Sequence, residues 1–95
     1  MTKPELIKAI AEKAQLTDRQ AKDVVDAIQT EITEALKAGE KVALVGFGTF
    51  EVRTRMARQS RNPRTGETVD VPAKHVPAFK PGTGLKEAII RLHAD

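Results

Sequence analysis

Between Arg53 and Lys80 the chain sets seven cations, Arg53, Arg55, Arg58, Arg61, Arg64, Lys74 and Lys80, against two acids, Glu67 and Asp70, a local excess of +5. The first 45 residues carry seven positive and eight negative side chains, so the net charge of +3 belongs to a near-neutral body joined to one basic segment. Charge gathered in this way holds a polyanion, and nucleic acid is the first candidate. Other chemistry is scarce. His75 and His93 are the only two histidines, and neither stands at a metal-ligand spacing. Asp23 and Asp26 lie three apart on one helical face, where solvation or an ion pair with Lys3 or Lys22 accounts for them. The absence of cysteine rules out a disulfide framework or a thiolate metal site and fits a reducing compartment. Gly46-Phe47-Gly48 is a lone G-x-G without the rest of a nucleotide fingerprint. No nucleophile stands beside a base, so the chain is expected to be no enzyme and to need no cofactor, metal or small-molecule substrate.

The basic segment reads as a long β-hairpin whose turn is Arg61-Asn62-Pro63-Arg64-Thr65-Gly66-Glu67. Arg53 and Arg55 share a face of an extended strand, and Arg58, Arg61 and Arg64 are expected to continue that positive track to the tip. Pro63 has two readings: it fixes φ and blocks edge pairing, or it acts on the partner. Before the hairpin come Lys41 to Val45 as a strand, Gly46-Phe47-Gly48 as a turn with Phe47 in the core, and Thr49 to Arg53 as a strand with Phe50 and Val52 inward. Beyond Pro72, Val76 to Phe79 returns to the body, and a last helix is expected over 83–93.

The first half is helical. Thr2-Lys3-Pro4-Glu5 and Thr17-Asp18-Arg19-Gln20 each carry the residues of a capping box, and apolar stripes follow: Leu6, Ile7, Ile10 and Ala14, then Ala21, Val24, Val25, Ile28, Ile32, Ala35 and Leu36. The first helix should run from Lys3 to Ala14, and the second should stop at Gly39. The pair invites comparison with a groove-reading helix-turn-helix. The second helix would, however, present Asp18, Asp23, Asp26, Glu31 and Glu34 to phosphates, which makes it a scaffold. A chain of 95 residues with a polar arm leaves a small core, and Val24, Val25, Ile28, Ile32, Leu36, Phe47, Phe50 and Phe79 are more apolar surface than it can hide. A dimer interface is expected there. The N-terminus opens on a charged amphipathic helix rather than an apolar leader, and no run reaches the ~20 apolar residues of a membrane span. A soluble cytoplasmic protein is expected.

Gly46-Phe47-Gly48-Thr49-Phe50, Ala57-Arg58, Arg61-Asn62-Pro63, Thr65-Gly66, Val76-Pro77-Ala78-Phe79-Lys80-Pro81-Gly82 and Leu85-Lys86 follow in order. Together they resemble the bacterial HU and integration host factor family of DNA-bending proteins over essentially the whole chain. The resemblance implies one α+β domain over 1–95, built as an intertwined dimer. Residues 1–45 would form the helical dimerisation body and first strand. A three-stranded antiparallel sheet would extend into a long arm over 53–76, with a short C-terminal helix over 83–93. It also implies minor-groove binding to double-stranded DNA with little sequence specificity and association with the nucleoid, HU and integration host factor being themselves known examples of that behaviour.

Carried over residue by residue, the resemblance places Arg53, Arg55, Arg58, Arg61, Asn62, Pro63, Arg64 and Lys74 in the arm contacts, and Lys3, Lys80 and Lys86 against phosphates. Pro63 would be the apolar wedge between bases. A homodimer is the first expectation. The alternatives are a subunit of a sequence-specific heterodimer and an assembly module for an acidic polymer or protein. The chain departs from the family at Ser60, where glycine is common and where curvature or a bulge could change. It departs again at Thr83, where lysine is frequent and where the threonine could cap the last helix, and in the tail Arg91 to Asp95.

Overall fold

The computed structural model describes residues 1–92. Two compact units divide the chain, residues 1–35 and the remainder. The first holds helix α1, Lys3–Ala14, and most of α2, Asp18–Lys37. At the start of α1 the Thr2 hydroxyl donates to the Glu5 carboxylate at 3.0 Å and accepts from the Glu5 N–H at 3.5 Å. The box before α2 is fully reciprocal: Thr17 N–H donates to Gln20 Oε1 at 2.9 Å, and Gln20 N–H to Thr17 Oγ1 at 3.1 Å. Each satisfies donors that a helix start leaves unpaired. Between the helices Gln15 takes the left-handed conformation, φ 56° and ψ 48°. Among the described residues, only Ala11, Ala21 and Val25 are buried hydrophobics.

The second unit is built on a three-stranded antiparallel sheet in the order β1, β2, β5, with β1 Val42–Leu44, β2 Gly48–Arg55 and β5 Lys74–Pro81. On one face Phe50 and Phe79 stand opposite each other with ring centroids 4.8 Å apart, and Phe47 lies 5.5 Å from Phe79. Phe47, expected in the core, is 48% exposed, and Val52 is likewise on the surface of the single chain. Beyond Arg55 a two-stranded ribbon continues, β3 Arg58–Arg61 against β4 Thr68–Val71. Two residues from each side, Met56 with Ala57 and Pro72 with Ala73, drop out of the ladder while the register is unchanged across the gap. Pro72 has no N–H to donate, which accounts for the break. Ser60 pairs with Val69 in that same register, so its side chain brings no bulge.

Helix α3, Thr83–Ile90, begins against the β1–β2 turn. Gly82 N–H donates to the Phe47 carbonyl at 2.8 Å and Leu85 N–H to the Gly46 carbonyl at 3.2 Å. The Gly46 carbonyl thus takes the Leu85 N–H, a donor that a capping Thr83 would have served. Gly82 is the cap residue, without a side-chain bond, and Thr83 is the first helical residue. The helix ends at Ile90, short of the expected 93, and His93 lies outside the described residues.

Candidate nucleic-acid interface

Register decides which charges share a surface. Along β2, Thr49, Glu51, Arg53 and Arg55 point to one face, and their β5 partners there are Lys80, Ala78, Val76 and Lys74. Phe50, Val52 and Thr54 occupy the other face with Phe79, Pro77 and His75. One side of the sheet is therefore cationic and the other largely apolar, from strict alternation alone. Arg55 stands directly opposite Lys74. Like charges in that position destabilise a ladder. Among the described residues no acid lies within ion-pair distance of Arg55, Arg58, Arg61, Arg64, Lys74, Lys80 or Lys86.

Glu51 interrupts the cationic face. It is largely covered, takes the Arg53 guanidinium at 3.2 Å and lies 3.7 Å from the Lys41 ammonium. Sequence reading missed both Glu51 and Lys41, although the alternation that groups Arg53 with Arg55 also groups Glu51 with them. Arg53 is thus partly neutralised within the chain, while Arg55 is not.

In the outer ribbon the arginines do not form a one-sided track. β3 puts Arg58 on the face of Ser60, Val69 and Val71, and Arg61 on the face of Gln59, Thr68 and Asp70. Positive charge therefore leaves both faces of the ribbon. Gln59 Nε2 donates to its cross-strand partner Asp70 at 3.3 Å, occupying the acid nearest Arg61 on that face.

At the tip, Asn62 organises the turn. Its N–H donates to the Glu67 carbonyl at 2.8 Å, its carbonyl accepts from Gly66 at 2.8 Å, and its Oδ1 accepts from Arg64 N–H at 2.9 Å. Gly66 sits at φ 74°, a conformation that glycine adopts without penalty. Pro63 is exposed at the apex and Arg64 beside it is exposed as well.

The remaining residues divide as follows. Lys80 lies on the cationic face opposite Thr49, and Lys86 stands on α3 beside a groove lined by Phe79, Pro81, Leu85, Ile89 and Ile90. Lys3 is in the other unit, where its ammonium lies 2.7 Å from Asp26, which also holds Lys22 at 2.8 Å. The hydrogen bond from Lys22, followed by that from Lys3, holds the Asp26 carboxyl down at about 2. A phosphate meeting Lys3 must compete with Asp26. Of the groups weighed for chemistry, His75 and Asp26 have structural partners: His75 Nδ1 lies 2.9 Å from Thr54 Oγ1, and Asp26 serves the lysines. Of the apolar set, Val24 and Ile28 are 41% and 50% exposed, Ile32, Leu36 and Phe50 are half-buried, and Val25 is already buried within the single chain.

The whole-chain comparisons agree with this geometry. The family model described as bacterial DNA-binding protein matches residues 1–90. The chain is 56% identical over 89 residues to the DNA-binding protein HU of Geobacillus stearothermophilus, covering 94% of this chain and 99% of that one. It is 53% identical to DNA-binding protein HU 1 of Bacillus subtilis, covering 94% and 97%. Among solved structures it is similar to Anabaena HU in a cocrystal with DNA, at TM-score 0.87 and 48% identity over 97% of this chain and 100% of that one. HU from Thermotoga maritima follows at TM-score 0.68 and 40% identity, covering 94% and 98%.

Proposed function

Because this chain belongs to the bacterial DNA-binding protein family, we propose that it is a histone-like architectural protein of the HU kind, which grips duplex DNA through the minor groove and bends it. The observation that carries the reading is Arg55 set directly opposite Lys74, with no acid among the described residues to relieve them. Like charges face to face destabilise a ladder, and an anion from outside would relieve them. The Anabaena HU relative crystallised with DNA supports a duplex as that anion. Phosphate contacts position a protein and carry no base information, so a surface of this kind favours binding with little sequence preference.

In this reading Arg53, Arg55, Arg58, Arg61, Asn62, Arg64 and Lys74 serve the arm, Pro63 is the wedge, and Lys3, Lys80 and Lys86 meet phosphates. The working unit is a homodimer. A core of Ala11, Ala21 and Val25 is too small to carry the fold, while Val24, Ile28, Phe47, Phe79, Ile89 and Ile90 stand open. The role is structural rather than catalytic, and the protein resides with the nucleoid in the cytoplasm.

The test is duplex binding and bending as a function of salt. The logarithm of affinity should fall with the logarithm of salt at a slope of about −0.9 per phosphate neutralised. Lys86→Ala should reduce the slope by about one per contact, hence about two in the homodimer. Affinity indifferent to salt, or fluorescence transfer showing an unbent labelled duplex, overturns the reading. An unchanged slope in the variant removes Lys86 from the interface.

A further inference from the structure

We propose that Met56 is a peroxide-sensitive DNA contact at the root of the arm, its thioether packing on the apolar edge of the bound duplex when reduced and losing that contact when oxidised. The inference rests on the DNA-binding reading above. Met56 is 81% exposed, so it adds almost nothing to the fold of the chain. It sits where the ladder breaks, outside any strand, in a groove of about 330 Å³ that it lines with Arg55, Arg58, Val71, Pro72 and Lys74. Three of those side chains are cations and the other three, Met56 included, are apolar. That alternation matches a duplex edge, where phosphates flank the C–H surface of sugars. Methionine is unbranched and flexible, fills irregular apolar gaps, and belongs to the side chains that architectural proteins lay against unstacked bases. No acid lies among the lining residues to repel the phosphates.

Exposure that makes Met56 available to DNA also makes it available to an oxidant. In the step, the sulfur lone pair attacks one oxygen of hydrogen peroxide, the O–O bond breaks and an S–O bond forms. The thioether becomes a sulfoxide by two-electron oxidation, and the second oxygen leaves as water with both protons. The product is polar and chiral, and no longer packs as an apolar side chain. The other methionine, Met1, is also exposed, at 88%, and serves as an internal control.

The experiment treats the whole protein with hydrogen peroxide, locates sulfoxide by peptide mass spectrometry, and measures affinity for a plain duplex at fixed salt. Oxidation should weaken binding by roughly fivefold, equivalent to about 1 kcal/mol, and methionine sulfoxide reductase should restore it. Met56→Leu, which has no sulfur, should show no further loss of affinity after peroxide from whatever starting affinity it has, while Met56→Gln should bind like the oxidised form without peroxide. An equal loss in peroxide-treated Met56→Leu assigns the effect to Met1 and overturns the proposal, as does full affinity with Met56 completely oxidised. Failure of the reduced protein to bind duplex at all would instead sink the DNA-binding reading.

Discussion

Pro63 stands at the apex of a turn whose hydrogen bonds run through Asn62, Arg64, Thr65, Gly66 and Glu67 and not through the proline. Replacing it should therefore leave the turn formed and remove only the stiff apolar ring. A wedge costs a few kcal/mol of unstacking and is offset by the wrapped contacts a kink permits, whereas an arginine attracts a straight or a bent duplex. Pro63→Ala should lower the bend angle measured by fluorescence transfer, and should weaken binding to an intact duplex more than to a nicked one. Arg61→Ala should weaken both about equally. An unchanged bend with equal losses would reduce Pro63 to a turn residue. A second residue-scale expectation concerns Gln15, held at φ 56° at the end of α1. Glycine meets that conformation without side-chain conflict, so Gln15→Gly should raise stability by roughly 0.5–1 kcal/mol, read from urea unfolding. The capping threonines Thr2 and Thr17 were legible because their partners lie three residues away. The left-handed Gln15 was not, since the sequence gives no sign where tertiary constraint overrides a residue's own preference.

Among the elements, the start of α3 depends on a close approach rather than a cap. A Cβ on Gly84 would lie 2.8 Å from the Gly46 carbonyl oxygen, and backbone cannot swing aside as a side chain can. Gly84→Ala should destabilise the protein by about 1–3 kcal/mol, whereas Thr83→Ala should change little because Thr83 makes no capping bond. Equal effects in denaturant melts would show that the turn contact is not what seats the helix. The outer ribbon behaves differently. Every residue of β3 is exposed and only Val71 of β4 is partly covered, so few apolar contacts oppose its opening. Without DNA its amides should exchange with solvent much faster than those of α2, and DNA should slow them; comparable protection in the free protein refutes this. Strand positions were readable from alternation, but two-sided charge on the ribbon was not. Arg58 and Arg61 are three apart, an odd spacing that sends them to opposite faces, and the one-sided expectation ran against its own periodicity. The ladder break was legible in principle, because Pro72 cannot donate in a strand.

At the scale of the whole molecule, the excess of exposed apolar surface over buried core predicts that folding and association are one event. Val24, Ile28, Phe47, Phe79 and Ile89 remain 38–59% exposed in the single chain. The melting temperature should therefore rise with protein concentration, since whatever binds only the folded chain stabilises it by mass action. A concentration-independent melt, with a folded monomer in sedimentation at micromolar protein, would count against the dimer. This need was legible from composition, because a small body with long apolar stripes cannot cover them alone. Which stripe residue serves which surface was not. Val25 turned out to be buried within the chain and Val24 beside it open, a one-residue rotation on a helix that only packing determines.

The gap that spares the register also bears on kinetics. Because β2 and β5 stay paired as far as Arg55 and Lys74, the strands beyond enter the gap already side by side and aligned, with no register left to search. Re-pairing after release is then zippering from a closed stem, with little further loop-closure entropy to lose. Hairpins form in about 1–10 μs even without such a stem. An arm that resets this quickly should be ready before the next encounter with DNA, and the rate of capture is then expected to be set by electrostatic steering and not by the arm's own ordering.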